Sequence, residues 1–523
     1  MKSATIAPRG GGAVARVGRS ALTLLNPRPG FSEAAKTRIA TLAALTVRDR
    51  RTAVAKAAAM GGAGATLFGA ALASMPPALA AALAALASIA LASALLARTS
   101  RLPAVTAART RFNDAVLSRV PSLHRPVATP LLLANAHVET IFAAKARKSP
   151  GVVYNRTLLT TADGGTVTID ALAAPPQGCA PLPDDAPVLL VLPGLTGGSH
   201  DTYVQYLAIE AAQAGMRAVV FNSRGTSDGP VTSPQYYSAS FTGDLREVVA
   251  WTLAQWPASP LLAAGYSLGG ERGEGVAPGR ACCGRRGAPR PSQTTPHPSH
   301  PIPLPANILV NYLGEEGDKA PIAAAVSLCN PFDLVISDAN FSTGFNRVYD
   351  TNLATSLRTI HAKHAHLWDA PAGKAKHFNS AAALQATTIR QFDDAITRVS
   401  FGWPSVEAYY AGSGSAARVP GVRVPLLCLQ AEDDPIAPAA AIPTAALEAN
   451  PHCVLVTTQN GGHLGWTAGP GGPRGAPWSD APAIEFLYSA LLELYREGRL
   501  PAGGRGGAGV KEGRAAVVAG RRA

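Results

Sequence analysis

The stretch LLAAGYSLG, residues 261–269, decides the fold. A short apolar run leads directly into Gly265-Tyr266-Ser267-Leu268-Gly269, which matches G-x-S-x-G. The chemistry of that motif needs a strand that turns sharply into a helix, so that the serine hydroxyl stands exposed at a sheet edge. The flanking glycines allow the tight backbone and leave space beside the nucleophile. A bare match is a weak signal, but a match set inside strand-helix alternation is specific. Residues 187–192, 216–221, 261–266, 322–328, 424–430 and 452–457 are short runs rich in Val, Leu and Ile. Helical patterns such as residues 201–214 and 240–255 separate several of them. Near-continuous apolar strands alternating with helices predict an α/β class, a mostly parallel doubly wound sheet covered on both faces. Residues 331–415 interrupt the alternation with polar, helix-leaning text, around 387–398 for example, and predict a helical lid over the carboxyl edge of the sheet.

A nucleophilic serine needs a base and a group that orients the base. After the run 424–430 comes Ala431-Glu432-Asp433-Asp434-Pro435, an acid pair in a Pro-rich turn. Asp434 is the expected orienting carboxylate and Asp433 the alternative. After 452–457 comes Gly461-Gly462-His463, where the glycines let an imidazole swing over the nucleophile. The order Ser267, Asp434, His463 is the one expected for this fold. The developing oxyanion needs donors. The Gly-rich turn Pro193-Gly194-Leu195-Thr196-Gly197-Gly198 suggests the Leu195 N–H as one, and the Leu268 N–H just after the nucleophile as the other.

The net charge of +13 invites a nucleic-acid reading, but the charge is confined. Residues 1–57 hold eleven Lys/Arg against two acids, residues 271–306 five against two, and residues 499–523 six against one. The remaining body is therefore slightly acidic, and nucleic-acid binding loses its support. Cys282 and Cys283 adjoin in the insert described below, and Cys179, Cys329, Cys428 and Cys453 are scattered, which reads as buried free thiols rather than a disulfide framework. Residues 1–57 have the composition of a basic tail or a plastid or mitochondrial transit peptide. Residues 58–97 are free of charge, and 77–97 is long enough for a single membrane span. Basic residues on both sides leave its orientation open. The tail 499–523 reads as disordered. No metal-ligand cluster is visible: His361, His364 and His366 lie close together without a ligand acid and are expected on a helix surface, and no cofactor is expected.

Residues 271–306, ERGEGVAPGRACCGRRGAPRPSQTTPHPSHPIPLPA, fit nothing around them. They read as a disordered loop or as translated intron. Gly270-Glu271 can be encoded with a GT-GAG donor and Pro305-Ala306 with an AG acceptor, behind a run whose codons are pyrimidine-rich. Removing the bases between restores one Ala codon and the text Gly-Tyr-Ser-Leu-Gly-Ala-Asn-Ile-Leu-Val. The insert falls about one turn into the helix after Ser267, and a helix that short does not hold itself.

Several stretches carry a family resemblance: PLLLANAHVETIF (130–142), LPGLTGGS (192–199), FNSRG (221–225), SPQYYSASFTGDL (233–245), GYSLG (265–269), NILVNYLGEEG (307–317), NPFD (330–333), RQFDD (390–394) and GGH (461–463). With these the chain resembles the type-4 family of the AB-hydrolase superfamily, membrane-anchored α/β-hydrolase lipases and embryogenesis-associated plant proteins, over residues 125 to about 497. The resemblance implies an α/β-hydrolase fold, a Ser267/Asp434/His463 triad, a membrane-anchored N-terminus and lipid acyl-ester substrates, with phospholipid cleavage or acyl transfer to alcohols in some relatives. Two departures stand out. The family's nucleophile motif runs straight into Asn-Ile-Leu, delayed here to Asn307-Ile308-Leu309, and Ser223 stands where relatives more often have His. The expected function is a membrane-associated serine lipase or esterase without metal or cofactor. The alternative is a catalytically silent membrane-tethered scaffold, crippled by the insert. The oligomeric state is open.

Overall fold

In the computed structural model the described residues are 100–500, apart from 175, 177, 178, 180, 268–304 and 372–375. β1 (Ser100–Arg101) and β3 (Val127–Ala128) form a small antiparallel pair. The main sheet is built from β2 (Ala104–Ala107), β4 (Tyr154–Thr160), β5 (Thr166–Leu172), β6 (Val188–Leu192) and β7 (Arg217–Asn222). It continues with β8 (Leu261–Tyr266), β9 (Ile322–Leu328), β10 (Leu426–Ala431) and β11 (Cys453–Thr458). The nine strands lie in the order β2-β11-β10-β9-β8-β6-β7-β5-β4. From β7 to β11 every neighbouring pair is parallel, while β5, β4 and β2 join antiparallel at the edges.

The six parallel strands fall within two residues of the apolar runs that predict them. They are almost wholly buried, as strands covered on both faces must be. The antiparallel edge strands carry no such signal. β4 (YNRTLLT) is mostly exposed, and the alanine-rich β2 lies ahead of residue 125, so the sheet begins earlier than the sequence boundary suggests.

Nine helices matter for the site: α1 (Arg111–Leu117), α2 (Ala136–Ala146), α3 (Thr202–Gln213), α4 (Gly243–Gln255), α5 (Pro305–Glu316), α6 (Leu334–Phe341), α7 (Asn346–His364), α8 (Val406–Ser413) and α9 (Asp480–Arg496). Leu207 of α3 and Phe486 and Leu487 of α9 pack in one apolar cluster with Leu189, Val220 and Leu429 of the sheet. Leu245 and Val248 of α4 and Leu309 and Leu313 of α5 pack in a second with Leu190, Val219 and Leu426. Alternate residues of β6, β7 and β10 thus serve the two clusters, which is the strand period at work. Between β9 and β10 the chain is mostly helical and has an apolar cluster of its own, including Leu334, Leu357, Trp368, Phe392 and Tyr409, which Leu195 joins.

Of the histidine group, His361 is not on the surface. His361 is fully buried, with Nδ1 3.2 Å from the Tyr236 hydroxyl and Nε2 2.9 Å from the Ser380 hydroxyl. Burial lowers its pKa to about 4, so it is a neutral core residue. The expected surface placement holds only for its neighbours, with His366 exposed and His364 half-buried. The basic tail, the charge-free segment with its expected span at 77–97, and the C-terminal tail beyond residue 500 lie outside the described residues. Among the described residues no helix is long and apolar enough to cross a membrane.

Candidate active site

The parallel strands end at one edge, and three loops leave from it carrying the predicted residues. Asp434 follows β10 and His463 follows β11. His463 Nδ1 lies 2.9 Å from both Asp434 Oδ1 and Oδ2. Both side chains are buried, His463 4% and Asp434 5% exposed. Asp434 Oδ1 also accepts the N–H groups of Ile436 (2.8 Å) and Ala437 (2.9 Å), so the carboxylate is fixed from two sides. The alternative acid, Asp433, instead accepts the Gly462 N–H at 2.9 Å and the Asn460 side-chain amide at 3.3 Å. Asp434 is the partner of the imidazole, and Asp433 braces the turn before it.

Ser267 stands at the end of β8, fully buried, its N–H donating to Leu328 O at 3.0 Å. Its hydroxyl has no hydrogen-bond partner among the described residues. Ser267 is also not one of the described non-glycine residues with positive φ, whereas a G-x-S-x-G elbow holds its serine on a strained turn. The expected Ser–His hydrogen bond is therefore not made. Leu268 lies outside the described residues.

The helix that should follow the nucleophile is nevertheless in place. A methyl group added to Gly265 would stand 2.9 Å from Ala306 Cα and 2.9 Å from Pro305 O, so the start of α5 lies directly against the end of β8. The close approach requires glycine at 265. Asn307 fixes α5 further, its amide donating to Ala239 O and Ser413 O, both at 2.8 Å, and its Oδ1 accepting the Ser415 N–H.

Around Leu195 the amides divide their work. Gly194 N–H donates to the Tyr203 hydroxyl and Thr196 N–H to the Tyr237 hydroxyl, both at 2.9 Å. The Leu195 N–H between them bonds to none of the described residues. A small, mostly apolar cleft is lined by Leu195, Leu334, Phe341, Leu357, Tyr409 and Tyr410, with Asp338 and Asp393 also in its wall.

Three residues to which sequence reasoning gave no role, Glu139, Thr140 and Arg147, hold the histidine loop. Asn135 caps α2 by accepting the His137 and Val138 N–H groups, so the helix starts there. One turn in, Thr140 Oγ1 accepts the His463 N–H at 2.8 Å while its own hydroxyl donates to Ala136 O. Glu139, fully buried, accepts the Thr467 N–H at 2.8 Å and hydroxyl at 2.7 Å. Desolvation by burial raises its pKa to about 7. Arg147 then donates to the carbonyls of Leu464 and Gly465. The stretch PLLLANAHVETIF was therefore a signal for this clamp, though without a role attached. FNSRG serves structure: Asn222 accepts the Ser199 N–H, and buried Arg224 pairs with Asp244 and Asp163, while Ser223 is simply buried.

The fold also assembles a ligand cluster that the spacing did not reveal. Cys329, just after β9, brings its Sγ to Asp434 and His463, with the ligating atoms of all three within 4.8 Å of one another.

No family model matches the chain. Embryogenesis-associated protein EMB8 of Picea glauca is 43% identical over 380 residues, 71% of this chain and 74% of its own. Phospholipase ABHD3 of Homo sapiens is 28% identical over 354 residues, 68% of this chain and 76% of its own. A monoacylglycerol lipase of Saccharomyces cerevisiae is 32% identical over 326 residues, 61% and 63% of the two chains. With a relative 43% identical over 71% of its length, the chain belongs to the type-4 family of the AB-hydrolase superfamily.

Proposed function

We propose that this protein is a serine ester hydrolase acting on lipid acyl esters, acylglycerols or phospholipids. The buried Asp434–His463 pair carries the reading: an imidazole with a carboxylate on Nδ1 is oriented to use Nε2 as a general base. In this reaction His463 takes the Ser267 proton as the hydroxyl attacks the acyl carbonyl, and returns it to the leaving alcohol. Water, or an alcohol in the transfer variant, then resolves the acyl-enzyme. Asp434 holds the tautomer and stabilises the imidazolium. The Leu195 N–H is one oxyanion donor and the Leu268 N–H the other, each worth on the order of 3 kcal/mol. The acyl chain occupies the mostly apolar cleft at Leu195, and residues 331–415 act as the lid over it. Related proteins named as a phospholipase and a monoacylglycerol lipase favour lipid substrates, and the segment 77–97 is proposed to anchor the enzyme to its membrane.

The active form in this proposal is the one in which Gly269 is joined to Ala306. The second reading, a silent scaffold, is favoured for the longer chain by the unpartnered Ser267 hydroxyl. Both forms should be treated with a fluorophosphonate probe and assayed on a panel of acylglycerols and phospholipids. The joined form is expected to label and hydrolyse, with both signals lost in Ser267→Ala, and the longer form to do so weakly or not at all. Equal activity of the two forms removes the role given to the insert. An unlabelled joined form removes the hydrolase.

A further inference from the structure

We infer that Cys329, Asp434 and His463 form a binding site for a soft divalent cation, zinc above all, and that occupancy switches the hydrolase off. The inference of a site stands on geometry alone. Its regulatory consequence rests on the triad proposed above.

The three residues come from three successive loops at the carboxyl edge, after β9, β10 and β11. Cys329 is held by two features of its backbone. Its N–H donates to Leu429 O at 3.0 Å, and its φ of 49° turns the chain out of the strand. That turn sends the thiol toward Asp434 and His463 rather than into the sheet. All three residues are buried, Cys329 completely. One sulfur, one ring nitrogen and one carboxylate oxygen within 4.8 Å of one another match the ligand set that zinc prefers, three protein ligands with a fourth position for water. The charges also match. A thiolate and a carboxylate together neutralise a dication, which makes the burial of all three charges feasible. Asp434 has the capacity: Oδ1 is occupied by two backbone amides, and Oδ2 is free of them.

Binding rearranges two protons. The cation takes the place of the proton between His463 Nδ1 and Asp434, and the imidazole carries its single proton on Nε2 instead. The Cys329 thiol gives its proton to bulk water. An imidazole protonated at Nε2 and ligated at Nδ1 has no lone pair left to accept the serine proton, so general-base catalysis stops without any change in the fold.

The test uses the full chain carrying Cys282→Ser and Cys283→Ser, so that the adjacent pair in the insert does not contribute. Cobalt(II) is titrated in as the probe and followed by its visible bands and by the thiolate-to-cobalt charge-transfer band in the near ultraviolet. One equivalent is expected to bind with the charge-transfer band present, and zinc to displace it. Adding Cys329→Ser should abolish the charge-transfer band and weaken binding roughly 100-fold, at the upper end of what losing even an outer-shell partner costs. Adding Asp434→Asn should weaken cobalt while keeping the sulfur band, and circular dichroism checks that each variant is folded. A parent without the band, or a folded Cys329→Ser variant that keeps it, overturns the site. In the joined form, zinc should suppress fluorophosphonate labelling and a chelator restore it, while labelling of Cys329→Ser should resist zinc. Zinc-insensitive labelling with a positive cobalt spectrum overturns the switch alone. Absent labelling with a positive spectrum refutes the hydrolase and leaves the metal site standing.

Discussion

Glu139 is a carboxyl group enclosed by protein, with one oxygen bonded to Thr467 and the other, Oε2, without a partner. Its folded pKa of about 7 exceeds the ordinary 4.5 chiefly because burial penalises the charged form. The folded state therefore binds more protons than the unfolded state between these values. Stability from this group is full below about 4.5 and declines as pH rises to about 7, by on the order of 3 kcal/mol at 1.4 per unit. Melting temperatures of wild type and Glu139→Gln across pH 5 to 8 should show this slope in the first and its absence in the second. If the variant keeps the slope, the group responsible lies elsewhere. The clamp was not legible in advance, because Thr140 and His463 are 323 positions apart and only folding makes them neighbours. Ser267 and His463 are singled out in the sequence by glycines and strand context, and their catalytic roles remain the proposal made above. Of the two adjacent acids the sequence favours Asp434 and keeps Asp433 as the alternative, and the carboxylate hydrogen-bonded to His463 Nδ1 is that of Asp434.

At the scale of elements, the joint between β8 and α5 leaves no room for a side chain at residue 265. Gly265→Ala would place a methyl group 2.9 Å from backbone atoms of Pro305 and Ala306, which cannot swing aside as a flexible side chain can. Overpacking of this kind costs about 1–3 kcal/mol. Denaturant unfolding should show that loss, and a variant as stable as wild type would mean that α5 sits less tightly on β8. The parallel strands could be read from sequence because burial on both faces leaves only apolar residues to write with. The edge strand β4 could not, since a strand facing solvent mixes polar and apolar residues, as Asn155, Arg156 and Thr157 do. Helix α7 misled in the opposite direction. His361 looked like a surface residue by its charged neighbours, yet it lies on the face that packs against Trp368 and Phe392.

Across the whole molecule, the charge was a useful guide because it could be assigned to segments: a basic surplus in the two tails and the insert sets them apart from the remaining, slightly acidic body. The contact between Gly265 and Ala306 has a consequence at this scale. The end of β8 and the start of α5 lie side by side, so the break in the motif is also a natural seam. β8 pairs with β9 across that seam, β2 pairs with β11, and Phe486 and Leu487 of α9 share an apolar cluster with Val116 and Leu207 from the other side. Two separately made pieces, one ending at residue 269 and the other starting at 305, should therefore find each other and co-purify as a complementing pair. Such a pair would hold together through the shared sheet and the apolar cluster packed on it, with continuity of the backbone dispensable.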